Sequence, residues 1–115
     1  MANTFKTITK ANVTSADIIY TVAGSTTTVL LGILLGNTTG SAITATVSLG
    51  SDTAARAGNN DEANQTVELI TGTSIPANSS LELLTGNKVV METTDTLSVT
   101  GSASTDVVLS IMEIT

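Results

Sequence analysis

The chain has no cysteine, no histidine and no tryptophan, and its 115 residues include one proline, one phenylalanine and one tyrosine. Without cysteine there is no disulfide framework, no thiolate nucleophile and no sulfur ligand for a metal. Without histidine the commonest general base and the commonest metal ligand are gone, and no serine can be completed to a Ser–His–Asp triad. Lys6, Lys10, Arg56 and Lys88 are the only basic residues against ten acidic ones, a net charge of −6. Phosphate backbones are bound by clustered Lys and Arg, so direct nucleic-acid binding is not expected. Phe5 and Tyr20 alone make no stacking platform for bases or sugars. The opening MANTFKTITK has no apolar stretch behind its charges and does not read as a secretory signal. No run approaches the roughly 20 apolar residues of a membrane helix. These absences point away from an enzyme, and no catalytic residue, cofactor or metal is expected.

Charged residues make up 12% of the chain, well below the ~25% of ordinary domains. Threonine, which favours strands, fills about one position in five. Short apolar segments alternate with turn residues, the pattern of an all-β sandwich or barrel. Strands are predicted over 4–9, 17–23, 27–36, 42–49, 66–70, 80–84, 88–92, 96–100 and 106–114. The fold expected is a single domain over 1–115, an antiparallel Greek-key or jelly-roll-like β-sandwich of eight or nine strands. Its predicted core is Ile19, Val29, Leu31, Ile33, Leu35, Val47, Leu49, Val67, Leu69, Leu81, Leu83, Val89, Met91, Leu97, Val99, Val107, Leu109 and Ile111.

The segment TTTVLLGILLGN at 26–37 carries apolar residues at both parities of a strand. A half-buried strand alternates, so something must cover its second face. Strict alternation puts Val29, Leu31, Ile33 and Leu35 inside. Leu30 and Leu34 then face outward, with Gly32 leaving a shallow groove into which another backbone could press. Leu30, Gly32 and Leu34 are therefore candidate interface residues. The competing explanation is that the N-terminal segment, with Phe5 and Ile8, folds back over this face.

Other candidates are weaker. Residues 50–65 form a long polar loop, a length that is usually functional or mobile. Arg56, the only arginine, sits in it and joins the candidate interface set, because Arg is enriched at interface hot spots. Asp52, Asp61 and Glu62 lack the calcium-loop pattern. Glu68, Glu82, Glu92 and Glu113 read as outward residues of half-buried strands. Gly36-Asn37 and Gly86-Asn87 read as turns.

Several segments resemble a known family: MANTFK, IYTV at 19–22, TTTVLLGILLGN, IPANSSLELLTGNKVVMETTDTLSVT at 75–100, and LSIMEIT at 109–115. They are similar to small virion structural proteins of marine tailed phages, of the cyanophage and pelagiphage type. The resemblance covers most of the chain and is weakest at 50–65. It implies a place in a phage particle, made in the host cytoplasm, and names no catalytic residue. Together with the composition it leads to the expectation of a capsid decoration or cement protein. Its expected partners are the major capsid protein or another virion protein, and sister copies, first as a trimer. A neck, collar or tail component is the alternative, and a receptor- or carbohydrate-binding module the third reading.

Overall fold

Strands form wherever β-branched and alternating residues run together. In the computed structural model, which describes residues 2–51, 65–84 and 86–115, they are β1 (Asn3–Val13), β2 (Ala16–Thr21), β3 (Thr27–Asn37), β4 (Ile43–Gly50), β5 (Thr66–Ile75), β6 (Ser80–Leu83), β7 (Val89–Met91), β8 (Thr96–Gly101) and β9 (Thr105–Ile114). No helix occurs among the described residues. The protein is an all-β sandwich of two antiparallel sheets, one ordered β1-β9-β3-β6 with β7 also on β3, the other β2-β8-β4-β5.

The pairs are nested. β1 pairs with β9, β2 with β8, β3 with both β6 and β7, and β4 with β5. The chain thus behaves as one long antiparallel ribbon rolled upon itself, the jelly-roll arrangement. One strand of that ribbon is broken in two. β6 covers Ile33–Gly36 of β3 and β7 covers Thr28–Leu30. The middle of β3, at Leu31 and Gly32, faces the gap between them.

A β-bulge sits at that gap. Leu30 pairs with Ile111 and Gly32 with Ser110, so Leu31 has no partner on β9. A bulge inserts one residue and reverses the parity of everything beyond it, and a glycine inside a strand often marks one. Thr28 and Leu30 therefore point inward before the bulge, and Ile33, Leu35 and Asn37 after it. This overturns two sequence expectations. Val29 and Leu31 are not core residues but lie only partly buried on the outer side. Leu30 is not outward-facing: it is 0% exposed within its own chain.

The rest of the core follows the alternation more closely. Ile43, Ala45 and Val47 of β4 meet Leu97 and Val99 of β8 and, across the sandwich, Val107, Leu109 and Ile111 of β9. Val67 is an exception, about half exposed on edge strand β5. β5 itself runs past Ile70, where the sequence suggested a loop, to the fully buried Ile75. The passage is made at Gly72, whose φ of 54° a side chain would strain. Its N–H donates to Thr46 Oγ1 at 2.9 Å, and the register with β4 shifts there. Gly36-Asn37 is likewise not a turn but the end of β3, with Asn37 buried.

Candidate interface on the outer face of the five-stranded sheet

The outward positions of the five-stranded sheet are unusually apolar. Pairing aligns Phe5, Met112, Val29 and Val90 in one row across β1, β9, β3 and β7. Val108 and Leu34 pair in a second row, continued on β6 by Glu82. Phe5 is 72% and Val90 61% exposed. Between the rows Thr7, Ser110 and Gly32 lie side by side. At Ser110 and Gly32 a depression of about 330 Å³ opens, lined also by Leu31, Leu34, Leu83, Leu84 and Val108 and by Glu82. At its floor, a Cβ added to Gly32 would meet nothing within 4 Å. At its rim, Leu84 takes a φ of 62°, a left-handed conformation uncommon for a bulky side chain.

The opposite outer face is of another kind. The outward positions of β4 and β8 are Thr44, Thr46, Ser48, Thr96, Ser98 and Thr100, a hydroxyl surface that water satisfies. Ile18 of β2, paired with Ser98 and 59% exposed, is the apolar exception on that side. Large contiguous exposed apolar patches are rare on monomers, and the face of the five-stranded sheet is the candidate interface.

Of the residues singled out in the sequence, Gly32 and Leu34 lie on this face and Leu30 does not, for the reason of parity given above. Arg56 and the loop acids Asp52, Asp61 and Glu62 fall outside the described residues. The idea that the N-terminal segment closes the face is also corrected. β1 pairs edge-on with β9 along nearly its whole length, so Phe5 extends the apolar face rather than covering it. Phe5, Val29, Val90, Val108 and Met112 were missed as members. The signal lay in DVVLSIMEI of β9, which is apolar at both parities just as β3 is.

The chemistry-bearing side chains gather instead at one flank of the interior. Glu113, expected outward, points in and accepts from Lys6 Nζ at 2.6 Å and from the Tyr20 hydroxyl at 2.5 Å. The Tyr20 oxygen lies 2.7 Å from Thr28 Oγ1; with its own proton on Glu113, it accepts the threonine's. Tyr20 belongs to β2 and Glu113 to β9, so the group is a polar strut between the two sheets. Lys10 and Asp17 form a longer, exposed pair at 3.7 Å, also from β1 to β2, of the kind that contributes little.

The strut makes stability depend on pH at both ends of the scale. Lys6 first, then Tyr20, hold the Glu113 carboxyl below its ordinary 4.5. Its contribution is complete above that value and is lost as pH falls through the lower folded-state value. Burial first, then the hydrogen bond to Glu113, push Tyr20 from 10.0 to about 12. Its contribution is complete below pH 10 and is lost as pH rises towards 12. Urea midpoints across pH are expected to show both losses. In Tyr20→Phe the alkaline loss assigned to this phenol should vanish. Tyr20 is the only tyrosine, so phenolate absorbance reads it directly; a midpoint near 10 would show that the strut does not form.

No protein-family model matches the chain, and no curated protein matches it. Among solved structures it is similar, with a TM-score of 0.46 and 18% identity, to a chain from Bacillus endospore appendages, described as a family of disulfide-linked pili. The match covers 99% of this chain and 87% of that one.

Proposed function

We propose that the protein is a non-catalytic structural subunit of a phage virion, first of all a decoration or cement protein of the capsid. The observation that carries this reading is the apolar outer face of the five-stranded sheet, with Phe5 and Val90 exposed on it. Such a face is of use to a chain that is held by its neighbours. Burying it gains about 25 cal/mol per Å² of apolar area removed from water, with no reactive group required. The family resemblance supplies the particle, and the composition, poor in charge and lacking histidine and cysteine, suits a subunit whose work is contact. Jelly rolls recur in viral capsid and lectin domains alike, so the fold agrees with the reading without selecting it.

In this role the subunit bridges capsid proteins and resists the outward pressure of packaged DNA. Its partners are the major capsid protein or another virion protein, together with sister copies. The neck, collar or tail placement differs in stoichiometry. Quantitative protein analysis of purified particles should find copies in proportion to the shell's subunits. A small multiple of a ring order would place the protein at the neck or tail, and absence from particles would end the virion reading altogether. Particles assembled with Leu34→Ser are expected to retain less of the protein after mild heating; equal retention would count against this face as the contact.

A further inference from the structure

We infer that the apolar outer face is covered by the same face of a second copy, in a two-fold dimer in which Phe5 of each chain enters the Gly32 depression of the other. This rests on the reading of that face as an interface and names its occupant. Three observations select a sister copy.

The face carries both halves of a contact. Phe5 is the only phenylalanine of the chain and stands largely exposed. The depression, about 330 Å³ in size, has the room for one aromatic ring. The two lie on one surface, two strands apart, since Phe5 is on β1, Gly32 on β3 and β9 runs between them. A two-fold axis in the plane of the interface, bisecting the line from Phe5 to Gly32, places each ring over the other copy's depression. An isologous contact requires this self-complementarity, and buried aromatic anchors in pockets dominate interface energetics.

Charge points the same way. The charged residues at outward strand positions of this sheet, among those described, are Asp106, towards one end, and Glu82, which lines the depression beside Leu34. Lys6 and Lys10 sit at the register positions of the inward Ile111 and Val107. Apart from these two carboxylates the face is uncharged, so a strongly charged partner finds little counterpart over most of it, whereas a second copy brings a surface of the same mostly apolar kind.

The size is also sufficient. Four strands ~4.8 Å apart and about ten residues long at ~3.3 Å each give roughly 600 Å² in projection. Side-chain relief brings this near the ~800 Å² per partner of a stable interface.

The cysteine-free sequence allows a direct test. The full-length chain should sediment as a dimer with a dissociation constant on the order of micromolar or tighter. Gly32→Leu fills the depression in open space and so should stay folded by circular dichroism, yet weaken the dimer by about a hundredfold. Phe5→Ser should weaken it comparably. With a bifunctional thiol-reactive crosslinker that spans the ~10 Å between facing sheets, Phe5→Cys mixed with Gly32→Cys should give covalent heterodimers, and the double variant F5C/G32C should give no covalent species larger than a dimer. Covalent trimers or ladders from the double variant would replace the two-fold contact by a ring, as the three-fold expectation from the sequence would have it, and overturn the inference. A monomer at about 100 µM would overturn it too. If Phe5→Ser then still reduced retention on particles, the interface reading would stand with another protein as the partner. No effect on particles either would remove both.

Discussion

Leu30→Ala is expected to destabilise the protein by about 2–5 kcal/mol, the cost of deleting a fully buried leucine and leaving a cavity. Leu34→Ala, four residues along the same strand, should cost less than about 1 kcal/mol in the isolated chain, as partly exposed surface positions do. The contrast comes from the bulge at Leu31. Leu30 is fully buried beside Ile111, its partner on β9, whereas Leu34 lines the outer depression. Domains of this size have about 5–15 kcal/mol in all, so Leu30→Ser should leave little folded protein. A double Leu30→Ser, Leu34→Ser variant should unfold because of its first substitution alone. Urea midpoints with an unchanged slope would measure both single losses. A Leu30→Ala loss no larger than that of Leu34→Ala would mean that β3 runs without a bulge and that the parity argued here is wrong.

Asn37→Ala should cost about 3 kcal/mol, because it strands several buried polar groups at once at about 1–3 kcal/mol each. The Asn37 side-chain amide donates to the carbonyls of Ser41, Ile75 and Pro76 at 2.8, 3.0 and 3.0 Å. The amide has two N–H protons for these three carbonyls, so one proton is shared between two of them. Its oxygen accepts from the N–H and the hydroxyl of Thr39 at 2.9 and 2.7 Å. Asn37 thereby joins the end of β3, the turn into β4 and the turn from β5 to β6, adding side-chain bonds to the backbone ones from Asn37 N–H to Ser79 O and from Asn78 N–H to Thr39 O. Asn37→Asp is nearly isosteric but turns both donors into an acceptor facing three carbonyls. It should be worse than alanine at neutral pH and recover partly in acid, where the carboxyl regains a proton to donate. An aspartate variant as stable as the wild type would exclude the amide as the fastening of this corner.

Much of the architecture was legible in the chain. Nine strand segments, the absence of sustained helical periodicity and the clean alternation of AITATVSL at 42–49 come from local side-chain pattern. That pattern is what a strand half buried in a sandwich imposes on its own residues. The lack of histidine, cysteine and clustered cations bounds the chemistry without any coordinates. Apolar residues at both parities of β3 also announced that one outer face is apolar.

Which residues form that face was decided only by tertiary structure. Parity along β3 depends on where one extra residue is inserted, and the insertion at Leu31 is a property of the pairing with β9 and of the gap between β6 and β7. It is not a property of β3 alone. The same holds for Glu113, whose inward turn depends on Lys6 and Tyr20, residues 107 and 93 positions away in the chain. Asn37 looked like a turn residue because Gly-Asn favours turns locally. It became a buried fastening only once β5 brought the carbonyls of Ile75 and Pro76 beside it. Local pattern set which segments are strands and how apolar they are. Contacts between residues distant in sequence set which side of each strand faces the core.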